Sequence, residues 1–321
     1  MIKNNNTQIL ANKVKRVPVV MAFTRNYFIP AATGILSVLK NSMTSDSFHF
    51  ICLLAEPLPS VIEEKLENIN KDRSLFTFIN MESKLKNINI NERYTVAAYY
   101  RLLLPNILLQ YSKVVYMDCD MIIRNNLANL FNEIELGHNY LAGVFEATLE
   151  FQIQHMTSIG CEPGKYVNSG FLIMNLELLR RDGMVQKFLK ALQQEKLEFP
   201  DQDVLNQLCK DRILGIPPYY NSIRTFNLPQ YKVDFLRYYT KRDWEEVQMR
   251  GSMHYTGGKP WNEYAVKFDI WWNYYRMLPS DVKSGEPINN NMRVLSMFYT
   301  TIIGRLLIDG LQKVYRKMKY A

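Results

Sequence analysis

Four short apolar runs occupy the first 120 residues, separated by segments with apolar residues at helical spacing, and the last run ends on two aspartates. Residues 17–24 (VPVVMAFT) stop at Arg25-Asn26 and read as a buried strand, with Pro18 tolerable only near its start. Residues 35–39 then carry a helical pattern. Residues 48–55 form a second strand, 61–69 a second amphipathic helix and 75–79 a third strand. Residues 94–109 are helical in pattern up to an expected break at Pro105. The fourth strand, 113–117 (KVVYM), runs directly into Asp118-Cys119-Asp120. This alternation predicts an α/β fold with a mostly parallel sheet. Ligand crevices of open α/β sheets lie beyond the carboxyl ends of the strands, where these two carboxylates stand.

The pattern is mixed further on. Residues 141–146 and 166–176 read as strands, 184–196 and 201–210 as helices, and 214–221, with Pro217-Pro218, as a loop. The aromatic-rich stretch 261–275 closes the expected globular part. In the final 35 residues Ile303, Leu307, Leu311, Val314 and Met318 share one helical stripe, with Arg305, Lys313, Arg316, Lys317 and Lys319 elsewhere on the wheel. With Arg293, six basic residues stand against Glu286 and Asp309, a net +4 of the chain's +8. A basic amphipathic helix of this kind suits an anionic membrane interface; the plain alternative is a terminal helix packed on the domain with solvated lysines. The expected organisation is a flexible segment over 1–16, one domain over 17–280, and a basic amphipathic tail over 281–321.

Composition narrows the partners. A sequence with 47% hydrophobic and 22% charged residues is that of a folded globular protein, and its pI near 9.1 favours contact with something anionic. The positive charge gathers in the tail and is not interleaved with aromatics over a face, so no nucleic acid is expected as a partner. Cys52, Cys119, Cys161 and Cys209 form no C-x-x-C pair, which argues against a zinc knuckle or redox dithiol. The polar, Asn-rich first fifteen residues lack the apolar core of a signal peptide, and no run of eighteen apolar residues occurs. A cytoplasmic protein, held peripherally at the inner face of the membrane by its tail, is the expectation.

Two carboxylates at the end of a central strand offer hard oxygen ligands to Mg²⁺ or Mn²⁺, leaving positions for phosphate oxygens and water. With thirteen aspartates, an Asp-x-Asp pair is only weakly specific, and Asp201-Gln202-Asp203 is a second instance; such pairs also cap turns and helices. His254-Tyr255-Thr256-Gly257-Gly258-Lys259-Pro260-Trp261 suits an anion site, since glycines admit phosphate oxygens close to the backbone and Lys259 adds charge. His254 can join Asp118 and Asp120 as a metal ligand through one ring nitrogen.

Five stretches, in order, resemble the retaining glycosyltransferases of family 8, whose bacterial members include lipopolysaccharide galactosyl- and glucosyltransferases. They are Ala22-Phe23-Thr24-Arg25-Asn26-Tyr27, Tyr99-Tyr100-Arg101-Leu102, Tyr116-Met117-Asp118-Cys119-Asp120, Asn168-Ser169-Gly170 with Asp201-Gln202-Asp203-Val204-Leu205-Asn206, and the His254–Trp261 stretch. The resemblance implies a GT-A fold, a single Rossmann-like nucleotide-sugar-binding domain with a mixed central sheet. By family position, Asp118, Asp120 and His254 bind Mn²⁺ (or Mg²⁺), Lys259 and Gly257 approach the diphosphate of a UDP-hexose, and Ala22 and Asn26 lie by the uridine, with Tyr27 in the same stretch. Arg101, Asp118, Asn168, Ser169, Asp201 and Gln202 hold the donor sugar, and Glu146, after a strand, shapes the acceptor side. Thr24 departs from the acid or other polar group that often contacts uracil, although its hydroxyl still donates and accepts. Cys119 contributes through its backbone. Arg93 and Tyr94 are looser candidates for the nucleotide site.

The reaction implied is transfer of galactose or glucose with retention to a glycan such as lipopolysaccharide core, lipid-linked or free. A cation and Lys259 would stabilise the leaving diphosphate. The amide oxygen of Gln202 is a poor nucleophile, so front-face attack is preferred, with Gln202 positioning or stabilising; Asp203 is the other candidate for a covalent partner. Asp201 is expected to accept sugar hydroxyls. Two other readings stay open: a glycosyltransferase acting on a protein or soluble saccharide, and a non-catalytic nucleotide-sugar-binding protein of the membrane surface.

Overall fold

The computed structural model describes residues 16–85, 95–194, 196–284 and 288–320. The expectations for 1–15, for Arg93 and Tyr94, and for Glu286 lie outside the described residues. So do those for the side chains of Arg316, Lys317, Met318 and Lys319.

Strands β1 (Val17–Phe23), β2 (Phe48–Leu54), β3 (Ser74–Asn80) and β4 (Lys113–Met117) form the parallel half of a seven-stranded sheet in the order β3-β2-β1-β4. The sequence then gives a short β5 (Met121–Ile122), followed by β6 (Leu141–Phe145), β7 (Val167–Asn175), β8 (Ile213–Gly215) and β9 (Met253–His254). Strand β7 runs antiparallel between β4 and β6, β8 adds a parallel edge beside β6, and β5 pairs with β9 in a separate two-stranded ribbon. The sheet is mixed, as expected.

The central strands read as unbroken apolar runs because both faces are covered. Val19, Met21 and Phe23 of β1 and Phe50, Cys52 and Leu54 of β2 point into one core, with helix Phe28–Lys40 and helix Phe268–Met277. Val20, Ala22, Ile51 and Leu53 point into the other, with Tyr99, Leu102, Phe188 and Leu205. Burying side chains of this size contributes about 1.5–3 kcal/mol each. The four cysteines are free and buried.

Two local expectations are corrected. Pro105 does not break the helical stretch: a 3₁₀ helix, Val96–Leu103, hands over to an α-turn, Leu104–Ile107, with the proline in its first turn. No intrahelical N–H is needed there, and the fixed φ of proline suits the position. The segment 214–221 is not all loop. Residues Ile213–Gly215 take their hydrogen bonds from β6, a pairing too short to leave a pattern in the sequence.

At the C-terminal end, helix Asn290–Tyr299 packs on the domain through Met292 and a Phe268–Tyr299 ring contact at 5.1 Å. Helix Ile302–Tyr320 follows after a 109° bend. Among the described residues no single helix is long and apolar enough to cross a membrane. Of the second helix, Gly304 and Ile308 are buried among the residues whose side chains are described, whereas Ile303, Leu307, Leu311 and Val314 of the predicted stripe, with Ile302 and Leu306, are exposed.

Candidate functional site

Register builds the site. Met117 of β4 lies opposite Phe171 of β7, and the Asp118 N–H donates to Gly170 O at 2.8 Å. This sets the Asp118–Asp120 turn beside Asn168-Ser169-Gly170. Immediately afterwards Met121 pairs with His254, and the Tyr255 N–H donates to Asp120 O at 3.2 Å, which brings the 254–259 loop onto the same turn. Gly170 is required by close approach: a Cβ there would lie 2.1 Å from His254 Cε1 and 2.8 Å from Asp118 Oδ2.

Asp118, Asp120 and His254 each present one ligand atom, all within 4.8 Å of one another. Nε2 of His254 stands 3.4 Å from Asp120 Oδ1 and 3.7 Å from Asp118 Oδ2. Asp120 Oδ1 is buried without a hydrogen-bond partner. The tautomer of His254 follows from a chain of amides. The Gly170 N–H donates to Asn168 Oδ1 at 3.2 Å, so that atom is the oxygen. Asn221 Nδ2 then donates to the same oxygen at 2.9 Å, which turns Asn221 Oδ1 toward His254 Nδ1 at 3.0 Å. Nδ1 therefore carries the proton and Nε2 presents a lone pair. Three acceptors facing one another with no donor between them fit a divalent cation, and a second residue orienting the histidine is the usual companion of such a site.

Arg101 is buried and committed. It donates from NH2 to Asp118 Oδ1 at 2.8 Å and from NH1 to Ser169 Oγ at 2.9 Å, and its Nε lies 3.2 Å from Asp201 Oδ2. Burial works to lower its pKa, but Asp118 and the neighbouring acids raise it above the ordinary arginine value. Tyr116 donates its hydroxyl to Asp118 Oδ1 at 2.9 Å. Lys259 pairs with Asp120 Oδ2 and donates to Tyr255 O. Against the upward push of burial, the Lys259 ammonium holds the Asp120 carboxyl well below the usual carboxylate range.

Two open cavities meet at this turn. One, of about 370 Å³, is lined by Ala22, Thr24, Tyr27, Ala98, Cys119 and Lys259, among others. The other, of about 510 Å³, includes Glu146, Asn168, Ser169, Asp201, Gln202 and Gly257; Arg101, Asp118, Asp120 and Lys259 line both. Asn26 lines neither, and accepts the Thr24 hydroxyl instead. On the larger side, Gln202 Oε1 accepts from the Ser169 N–H at 2.9 Å and from Asn168 Nδ2 at 3.2 Å, while its Nε2 donates to Glu146 Oε1 at 3.2 Å. Ser169 Oγ donates to Asp201 Oδ2 at 3.1 Å. Burial raises the Glu146 and Asp201 carboxyls, with hydrogen bonds from Asn168, Gln152 and Gln202 opposing at Glu146 and Arg101 opposing at Asp201.

Asp203 is turned away from both cavities, which corrects its reading as a covalent partner. Its Oδ2 accepts the Glu198 and Phe199 N–H groups at 2.9 and 3.0 Å, Tyr166 donates to Oδ1, and His155 Nε2 lies 3.1 Å from Oδ2. Such a carboxylate has no lone pair left for a sugar, and instead fixes the start of helix Pro200–Cys209 so that Asp201 and Gln202 face inward. Sequence reasoning gave no role to Asn221, Tyr116 or Gln152. Asn221 left no signal, because its partners are distant in the chain.

The profile of "Glycosyl transferase family 8" matches residues 18–265, a span that contains every residue of the site. The chain belongs to glycosyl transferase family 8. This family 8 glycosyltransferase is 28% identical over 272 residues to a lipopolysaccharide 1,2-glucosyltransferase of Escherichia coli, covering 79% of the chain and 76% of the relative. It is 27% identical over 175 residues to General stress protein A of Bacillus subtilis, covering 52% and 60%. The solved structure of galactosyltransferase LgtC with donor and acceptor sugar analogs superposes with a TM-score of 0.67 at 22% identity, over 83% of this chain and 99% of that one. The bifunctional glycosyltransferase WbbM gives 0.70 at 20%, over 84% and 51%. The fold is GT-A.

Proposed function

We infer that this glycosyltransferase moves a hexose, galactose or glucose, from a UDP-sugar to a glycan acceptor such as lipopolysaccharide core, with retention of configuration. The observation that carries the reading is the convergence of Asp118, Asp120 and His254 on one point, between two cavities that share Arg101 and Lys259. These three residues would hold Mn²⁺ or Mg²⁺, which supplies Lewis-acid stabilisation of the charge on the departing diphosphate. The smaller cavity has the composition for a nucleoside, with Tyr27 and Thr24 at its wall. Lys259 adds a positive charge where the leaving group develops its own.

On the larger side Asp201, Ser169 and Asn168 offer acceptors and donors to sugar hydroxyls, and Arg101 fixes Asp118 and Asp201 relative to one another. Both lone-pair directions of the Gln202 amide oxygen are engaged, which removes what nucleophilicity it has and favours front-face attack guided by the departing phosphate. Glu146, buried and with its carboxyl raised, is placed to orient the acceptor hydroxyl. The name of the Escherichia coli relative supports a lipopolysaccharide acceptor. The exposed apolar stripe of helix Ile302–Tyr320 supports a peripheral position on the cytoplasmic face of a membrane.

The test is a screen of UDP-sugars for Mn²⁺-dependent hydrolysis. Wild type should hydrolyse one or more, and Asp120→Ala should lose that activity with an unchanged unfolding midpoint. Full activity in Asp120→Ala removes the metal assignment. Deleting residues 302–321 should shift the protein from anionic vesicles to the soluble fraction; an unchanged partition favours a soluble or protein acceptor.

A further inference from the structure

Three cationic side chains line the 510 Å³ cavity: Arg101, Lys259 and Arg224. Two are spoken for, Arg101 by Asp118 and Asp201 and Lys259 by Asp120. The guanidinium of Arg224 has no hydrogen-bond or ion-pair partner among the described residues; only its backbone N–H is engaged, by Thr256 Oγ1 at 3.4 Å. Arg224 is exposed, and its arm lies against the 254–259 loop. Arg224 opens the 3₁₀ turn Arg224–Asn227, and its side chain lies along Gly257, where a Cβ would come 3.0 Å from Arg224 Cδ and 3.6 Å from Nε. Gly257 thus lets the arm lie flat against the loop.

Beyond that wall is a third cavity of about 310 Å³, lined by Gln230, Glu263, Tyr264 and Gln312 as well as Arg224. Arg224, His254 and Gly257 are the residues common to it and the 510 Å³ cavity. Arg224 does not line the nucleotide-side cavity, which leaves the free cation on the larger cavity that Glu146, Phe151 and Phe199 also line. Glu263 lies by Gly258 on the smaller cavity, where a Cβ on that glycine would meet its Oε1 at 3.0 Å. Its charge disfavours an anion deep in the smaller cavity and leaves the junction at Arg224 as the favourable place.

We propose that Arg224 forms an anion subsite of the acceptor site, taking a phosphate or carboxylate group borne by the glycan next to the sugar that is glycosylated. The subsite rests on the reading that the larger cavity takes the acceptor, through Glu146, beside the donor sugar. Arginine suits the task because its planar fork meets an oxyanion through two parallel hydrogen bonds, which a lysine cannot do. The chain's net charge of +8 attracts such acceptors generally, and Arg224 gives that attraction a fixed address.

The experiment uses full-length protein with Mn²⁺ and UDP at saturation, titrated by NMR with glucose, glucose 6-phosphate and glucuronate. Wild type should bind at least one anionic sugar about ten-fold or more tightly than glucose, a difference of about 1.4 kcal/mol. The phosphate and carboxylate arms tell which anion is preferred. Arg224→Gln should abolish the preference and leave UDP affinity within two-fold, and Arg224→Lys should restore only part of it. Equal binding of all three sugars by wild type overturns the subsite. So does a loss of UDP affinity in Arg224→Gln, which would assign the guanidinium to the donor diphosphate. Failure of wild type to bind UDP with Mn²⁺ overturns the donor reading itself, and is seen before any variant is compared.

Discussion

Replacing Asn221 with alanine removes the one contact that dictates which nitrogen of His254 faces Asp118 and Asp120. The substitution deletes the oxygen 3.0 Å from Nδ1 and the donor 2.9 Å from Asn168 Oδ1. His254 is 4% exposed, so its Nδ1–H is left without water or protein acceptor. That costs about 1–3 kcal/mol in the folded state. The ring has a cheaper alternative, to carry the proton on Nε2 and donate to Asp120 Oδ1, 3.4 Å away. Doing so removes the lone pair that a cation needs. Loss of residues that orient a metal-bound histidine typically weakens metal affinity about 10–100-fold, which matches the same 1.4–2.8 kcal/mol. Binding is read from the free Mn²⁺ signal by electron paramagnetic resonance in the presence of UDP, and the tautomer from ¹⁵N shifts of the metal-free protein. Asn221→Asp keeps an acceptor facing Nδ1 and should retain more of the affinity than Asn221→Ala. A folded Asn221→Ala protein with wild-type Mn²⁺ affinity and an unchanged tautomer would refute the reasoning.

Asp203→Ala should cost about 3–5 kcal/mol of stability in denaturant unfolding, because a fully buried carboxylate and its four partners are disrupted together. An Asp203→Ala protein with full stability but no transfer would reinstate a chemical role. Gly170→Ala places a methyl 2.1 Å from His254 Cε1, so Mn²⁺ binding should be lost in calorimetry; unaltered binding would mean the loop yields freely. The Glu146 carboxyl is raised above 4.5 by burial, so the folded state holds its proton more tightly than the unfolded one. Its contribution is present below pH 4.5 and is lost as pH rises through the folded value. The stability of Glu146→Gln relative to wild type should therefore increase with pH above about 4.5, and a flat difference would contradict the burial argument.

The sequence determined the strands because burial on both faces leaves a direct trace: residues 17–24, 48–55 and 113–117 are mostly apolar, and their order makes the first half of the sheet parallel. It also singled out the three residues that the structure brings together, since Asp118-Cys119-Asp120 at a strand end and His254 before two glycines are chemically conspicuous. It misplaced Pro105 and β8, where a short-range signal was weaker than the pairing or packing that overrode it. The division of labour within Asp201-Gln202-Asp203 was not legible at all. Three adjacent polar residues at a helix start face different directions, and only the packing of Tyr166 and His155 shows that Asp203 is a structural anchor while its neighbours face the cavity. The same holds for Asn221 and Arg224, ordinary loop residues in the sequence. One becomes the group that orients His254 and the other a cation at a cavity junction with no partner among the described residues, because hydrogen-bond direction and the presence or absence of a counter-charge are properties of neighbours brought together from more than thirty residues away.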